Sequence, residues 1–287
     1  MSVKILIDSA SDISLAEAEK LGIYMIAMPI TFSDAEYLDG VNLLPDLFYE
    51  KLVNSETLPK TSQINPYRFK EKFKELTSDG SEVICITMSS RLSGTYLNAC
   101  NASKSFDGKV QVVDSLNACI GERMLCDYAI RLVKQGLNAI QIKEELDIQK
   151  KRINVFALID TLEYLKKGGR VSSVAALAGK VLAVKPLIAV LNGEVEVVGK
   201  TIGTKKGNML MTSHVKKSGG IDFDMPFCVA YSGFSNENII KYVGSTPELW
   251  ETLTEEPRCI IVGSTIGTHI GPGAIGLSYF SKEEKAC

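Results

Sequence analysis

Hydroxyl side chains are concentrated where an anion would need them. Ser89-Ser90-Arg91-Leu92-Ser93-Gly94-Thr95-Tyr96 follows the apolar β-branched run Val83 to Ile86 and leads into a helix-like stretch from Thr95 towards Ser105. A strand that ends in serine and glycine and turns into a helix presents hydroxyls and free N–H groups at a positive helix terminus. Such a turn suits a phosphate or a carboxylate. The spacing matches no phosphate-loop fingerprint. A second hydroxyl loop is Leu58-Pro59-Lys60-Thr61-Ser62-Gln63, between two helical stretches. His269 is set among Gly267, Gly271 and Gly273, where glycines permit close backbone approach without specifying a ligand. Thr161 to Arg170 reads as a short helix closed by glycine, with Lys166, Lys167 and Arg170 at its basic end.

Those residues need a scaffold, and the remaining sequence describes one. Val3 to Ile7 is an apolar strand ending in Asp8-Ser-Ala-Ser-Asp12, and Ser14-Leu-Ala-Glu17 is a capping box for a short helix that Gly22 closes. Ile23 to Phe32 reads as one strand. Pro45 and Pro66 each open a helix, the second with Phe69, Phe73 and Leu76 on one face. Val110 to Val113 is a strand ending in Asp114-Ser115, and helical stretches run from Cys119 to Gln135 and from Asn138 to Arg152. Strand, polar turn and helix in repetition predict a parallel α/β sheet, with ligands beyond the carboxyl ends of its strands. There Asp8–Asp12, Ser89–Thr95 and Asp114–Ser115 would gather.

A different pattern follows. After a strand at Val155 to Ile159, Asn192-Gly193 between Leu187–Leu191 and Val195–Val198 is a hairpin signature. A helix from about Lys205, a strand at Phe227–Tyr231, helices near Asn236–Val243 and Pro247–Leu253, and a strand at Cys259–Val262 close the inventory. The expected fold class is therefore α/β in two domains. Residues 1–152 form a parallel α/β domain carrying the anion-binding loops, and residues 153–287 form a mixed α+β domain. A length of 287 residues agrees with two cores.

Composition excludes several classes. With 45% hydrophobic and 23% charged residues the chain has the composition of a soluble globular protein, and a net charge of −2 gives no electrostatic basis for nucleic-acid binding. No apolar run reaches membrane-spanning length, and the chain starts with a strand rather than a signal peptide. Seven cysteines without a C-x-x-C pair read as reduced thiols of a cytoplasmic protein, and two histidines, His214 and His269, are too few for a zinc site.

Taken in order, Asp8-Ser-Ala-Ser-Asp12, Tyr37-x-Asp39-Gly40, Leu58-Pro-Lys-Thr61-Ser62-Gln63, Ser89-Ser-x-Leu-Ser93-Gly94-Thr95-Tyr96, Leu162-Glu-Tyr-Leu-Lys-Lys-Gly-Gly-Arg170, Lys185-Pro186 and Gly267-Thr-His269-x-Gly271-Pro272-Gly273 resemble the DegV family across nearly the whole chain. The resemblance implies a two-domain fatty-acid-binding protein that serves as the lipid-carrying subunit of a fatty acid kinase. It also implies that the carboxylate is held by Thr61, Ser93 and His269, with Ser62, Gly94 and Thr95 in the same loops. Neutral hydroxyls and an imidazole can fill a buried carboxylate's lone pairs. About 15 buried methylenes would contribute on the order of 12 kcal/mol before entropy costs, so the tail supplies most of the affinity. Val174 to Gly179 and Val181 to Ile188 are the candidate tunnel lining, placing the tail in the C-terminal domain. No cofactor or metal is expected; the bound acid is a ligand, and an ATP-dependent kinase would be the partner, docking near Arg170, Lys166 and Lys167.

The chain departs from the family pattern twice, with Ile202 where a basic residue is frequent and Tyr231-Ser232-Gly233 where a histidine motif is. Two other readings use the same residues. A serine hydrolase would pair Ser93 with His269 and Asp114 or Asp8, although Leu-Ser-Gly is not the G-x-S-x-G elbow. A small-molecule phosphotransferase would place phosphate in the Ser/Gly loops, but lacks a Walker lysine motif.

Overall fold

The computed structural model describes residues 2–33, 35–171 and 184–282. Strands β1 (Val3–Asp8), β2 (Tyr24–Ile26), β6 (Glu82–Thr87) and β7 (Val110–Asp114) form a wholly parallel sheet in the order β2-β1-β6-β7. Helix α1 (Leu15–Leu21) connects β1 to β2; Ser14 Oγ accepts from Glu17 N at its start and Gly22, at φ 69°, closes it. Both prolines sit at helix starts as their fixed φ favours, in α2 (Pro45–Asn54) and α3 (Pro66–Thr77). Helix α4 (Thr95–Ser103) follows the serine loop, and α5 (Ile120–Lys134) and α6 (Ala139–Gln149) follow β7.

The stretch Ile23 to Phe32 is not one strand. The chain leaves the parallel sheet after Ile26 and enters a separate antiparallel sheet at Pro29, a residue that tolerates only the first position or the edge of a strand. That small sheet has the order β4-β3-β5, with β3 (Pro29–Thr31) between β4 (Glu36–Leu38) and β5 (Lys60–Thr61).

The second large sheet is six-stranded and mixed, in the order β10-β9-β8-β13-β11-β12. Its strands are β8 (Ile153–Leu158), β9 (Val184–Leu191), β10 (Glu194–Ile202), β11 (Phe227–Tyr231), β12 (Cys259–Ile261) and β13 (Ile275–Phe280). Only the β11–β12 pair is parallel. Asn192 and Gly193 make the hairpin turn with φ of 49° and 86°, the double positive φ that Asn-Gly satisfies. The molecule is thus α/β with one parallel and one mixed sheet. Its helices here are α7 (Glu163–Gly168), α8 (Thr204–Lys217), α9 (Glu237–Ser245) and α10 (Ser264–Ile270). Around Pro247 only a three-residue 3-10 turn forms, Pro247–Leu249, in place of a helix reaching Leu253.

Helix α5 belongs to both sheets. Ile120, Met124, Leu125, Cys126, Ala129 and Leu132 pack in one cluster with Ile5, Ile7, Ile84 and Ile86 of the parallel sheet and with Val155, Cys228, Ala230 and Phe280 of the mixed one. The fully buried Arg123 side chain on α5 pairs with Glu17, and its Nη1 donates to Asp12 O at 3.2 Å. No helix among the described residues is long and apolar enough to cross a membrane.

Candidate functional site

Thr61 reaches its place because β5 pairs with β3, Ile30 opposite Thr61, and the next turn is fixed by Ser62 N–H donating to Pro29 O at 2.9 Å. The loop is then tied to α4: Asn98 Nδ2 donates to Ile64 O at 2.8 Å and Ile64 N donates to Thr95 Oγ1 at 3.4 Å. Thr95 is fully buried, and its hydroxyl lies 2.9 Å from Ser93 Oγ, which also accepts from Thr95 N at 3.2 Å. Gly94 makes room for Gln63, since a Cβ there would lie 1.9 Å from Gln63 Oε1. Thr95 therefore holds the loop, Gly94 leaves room for the end of Gln63, and Thr61, Ser62, Gln63 and Ser93 line a cavity.

His269 enters the same cavity from the last turn of α10. Its Nε2 lies 3.0 Å from Thr61 Oγ1, a hydrogen bond across 208 residues of chain. On its other side the ring rests on Gly168 at the end of α7, where a Cβ would come within 2.2 Å of Nδ1. Nδ1 has no hydrogen-bond partner among the described residues. A buried bare lone pair is less costly than an orphaned N–H, so the proton belongs on Nε2, donated to Thr61. Burial, and then the positive charge of Arg170, push the imidazole down to about 4, so it is neutral at physiological pH. Thr61 then accepts from His269 and keeps its own proton to donate. Ser93 is arranged alike: with Thr95 Oγ1 taking the Ile64 N–H and donating to Ser93, the Ser93 proton is free for a ligand. The arrangement offers neutral donors to an anion.

Behind these donors the cavity is apolar. It holds about 940 Å³ of space not filled by protein, part of it open to solvent. Its walls come from both sides of residue 152: Met28, Met88, Ala118, Cys119 and Ile120 before it, and Val155, Ile188, Ala230, Ile266 and Ala274 after it. Of the candidate tunnel residues, Ile188 is in the wall, whereas Val174 to Gly179 and residues 181–183 lie outside the described residues. Met28, Met88 and Cys119 carry no distinctive sequence pattern. The two methionines are ordinary buried apolar positions, and Cys119 is half-buried at a φ of 57°, its Sγ donating to Asp12 Oδ2 at 2.7 Å.

Arg170 lines the cavity mouth and is exposed, its Nη1 donating to Gly168 O at 2.6 Å. Lys166 and Lys167 are exposed on α7, and Lys167 pairs with Glu163 at 2.6 Å. Ile202 ends β10 with 66% of its surface exposed. Tyr231 ends β11, opposite Ile275.

The hydrolase arrangement does not assemble. Asp8 accepts from Ala10 N and Met88 N, Asp114 from Ser90 N and Leu116 N, and neither bonds to His269. Among the described residues no group of three or more His, Cys, Asp or Glu side chains could hold a metal ion.

The sequence profile of the DegV family matches residues 2–282. This chain belongs to the DegV family. A DegV domain-containing protein of Clostridium perfringens is 32% identical over 278 residues, covering 96% of this chain and 98% of the relative. Among solved structures, a DegV family protein from Thermus thermophilus described for its fatty acid binding superposes with a TM-score of 0.87 at 28% identity, covering 98% of this chain and all of the other. DegV of Bacillus subtilis, described as a fatty acid binding protein, gives 0.84 at 27% identity with the same coverage. A stearic acid-binding protein from Eubacterium ventriosum gives 0.84 at 26%, covering 98% of this chain and 99% of that one.

Proposed function

We propose that this DegV family protein binds one long-chain fatty acid, its carboxylate held by Thr61, Ser93 and His269 and its tail in the cavity between the two sheets. The observation that carries this reading is the Thr61–His269 hydrogen bond at the polar end of an otherwise apolar cavity. Each hydroxyl has its acceptor side engaged by protein and a proton to spare, the complement of a carboxylate. The relatives described as fatty-acid-binding share the fold over nearly their full length, in support of the same ligand class. Organic extraction of purified protein followed by mass spectrometry should find about one acyl chain per polypeptide, because a buried tail exchanges slowly. Folded protein without any acyl chain would remove the reading. Thr61→Ala with Ser93→Ala should cost about 2–5 kcal/mol of affinity with the fold retained.

The chain supplies no chemistry of its own in this reading. A partner kinase in the cytoplasm transfers the terminal phosphoryl group of ATP to the bound carboxylate, giving an acyl phosphate and ADP, while this protein shields the tail. Support comes from the family resemblance and from Arg170, which lines the cavity and would face the developing charge, with Lys166 and Lys167 exposed on the adjoining helix α7. Purified protein, palmitate, ATP and the candidate kinase should form acyl phosphate together and in no incomplete mixture. Product without the kinase would make this protein the enzyme, and no product with the kinase would leave a carrier alone.

A further inference from the structure

His269 is only as well placed as the helix that carries it, and that helix is held from outside the mixed sheet. Helix α10 has no side-chain cap of its own: the residue before it is Gly263. Its first N–H groups go to two carboxylates from the N-terminal half. Asp12 Oδ1 accepts from Gly263 N at 2.9 Å, and Asp39 accepts from Ser264 N at 3.0 Å through Oδ1 and from Thr265 N at 3.2 Å through Oδ2. Asp39 is buried and Asp12 half-buried, and desolvation raises the pKa of each.

Asp39 has a second connection. It follows β4 directly, its own N–H donates to Met28 O at 3.0 Å, and β4 shares the small sheet with β5, the strand of Thr61. The chain of contacts from Asp39 through α10 to His269, across to Thr61, and back through β5, β3 and β4 is closed. Ser264 Oγ donating to Leu43 O at 3.1 Å and Tyr49 Oη donating to Val262 O at 3.0 Å tie the start of the same helix, and the residues leading into it, to α2 and the residues leading into that.

We infer that Asp39, seconded by Asp12, is a positioning residue of the ligand site: by holding the first turn of α10 to the sheet that carries Thr61, it sets the His269–Thr61 pair that receives the carboxylate. The inference rests on the fatty-acid reading for its effect on binding, though not for its effect on His269. Asparagine keeps the shape of Asp39 but replaces one acceptor by an N–H₂ group that would face an α10 N–H, so one backbone donor loses its partner.

The test is a double-mutant cycle on the full chain after delipidation, with palmitate as probe. Asp39→Asn should weaken palmitate binding roughly tenfold in the wild-type background and less than about twofold in the His269→Ala background. An equal loss in both backgrounds, or none in either, would overturn the inference. If Asp39→Asn does not fold, Ser264→Pro serves instead, because Gly263 is extended (φ −74°, ψ −179°) and position 264 is the first of the helix. It removes one N–H from the Asp39 carboxylate together with the Ser264 Oγ bond to Leu43 O, so Ser264→Ala is measured beside it, and roughly a threefold loss beyond that of Ser264→Ala, dependent on His269, is expected. Imidazole NMR of the ligand-free protein separates this inference from the reading beneath it. A shifted His269 signal in Asp39→Asn, with His214 unmoved, supports the clamp even if wild type binds no palmitate. An unmoved His269 signal rejects the clamp even if palmitate binds.

Discussion

Gly168 and His269 touch with no room for a methyl group between them: a Cβ at 168 would stand 2.2 Å from Nδ1 and 2.9 Å from Cε1 of the ring. The ring is held from the other side by Thr61, so it cannot simply turn away. Gly168→Ala should therefore break the Thr61–His269 bond and cost about 1–3 kcal/mol of palmitate affinity. The fold should survive, as read by circular dichroism and thermal melting. Unchanged affinity in calorimetric titration would show that the ligand does not need His269 where it stands.

Gly94 makes the opposite case. Its Cβ would meet Gln63 Oε1 at 1.9 Å, but that is the tip of an exposed, flexible side chain, and Gly94 has an ordinary φ of −72°. Gly94→Ala should change unfolding free energy and palmitate affinity by less than about 0.5 kcal/mol. A loss above 1 kcal/mol, by urea titration or binding, would mean that Gln63 is fixed by the ligand.

Two histidines make the imidazole spectrum easy to read. In ligand-free protein the His269 signal should titrate near pH 4, because burial and then Arg170 disfavour its cation. The His214→Gln variant assigns it. Adding palmitate should raise that midpoint, since a carboxylate nearby favours the imidazolium. A His269 midpoint near 6.5 without ligand would contradict the buried neutral ring.

Stability should vary with pH in two opposed ways. Burial pushes the Asp8 and Asp12 carboxyls up to about 7, so the folded chain holds these protons more tightly than the unfolded chain. Their contribution is fully present below about pH 4 and is lost as the pH rises through 7. His269, pushed down to about 4, acts oppositely and lowers stability as the pH falls from 6.5 towards 4. Asp12→Asn should remain neutral at pH 8, and its stability relative to wild type should be greater at pH 8 than at pH 5 by about 2–3 kcal/mol. Urea unfolding at both pH values decides it; no difference between pH 5 and 8 would place the Asp12 midpoint outside this window.

Elements with strong local chemistry were legible: the Ser14 N-cap, Pro45 and Pro66 at helix starts, and the Asn192-Gly193 turn each depend on neighbours in sequence, although Glu17 pairs with Arg123 and Arg258 instead of completing a capping box. Helix α10 and strand β13 were not. Gly267 weakens the helical pattern of Ser264–Ile270, and it is there because a Cβ would lie 2.5 Å from Phe48 on α2. That reason is tertiary, so no window of the chain displays it. The β13 residues Ile275–Phe280 are all buried, Ser278 included, which leaves no alternation to recognise. For the site, motif order gave Thr61, Ser93 and His269 as candidates, and the structure brings them to one cavity. Asp12 and Asp39 stood in the sequence as members of motifs without a supporting role, because their partners lie more than 200 positions away.

The placement of α5 bears on how the chain can be divided. Each sheet has a cluster of its own, around Phe69 and Phe73 for the parallel one and around Leu187 and Leu277 for the mixed one, but a further part of each packs only against the shared helix. Severing the chain near Arg152 would strip β8, β11 and β13 of the surface they pack against, exposing Val155, Cys228 and Phe280 to water. The two sheets should then melt together as one cooperative transition in calorimetry. The acyl cavity, walled from both halves, comes into existence only when that single event is complete.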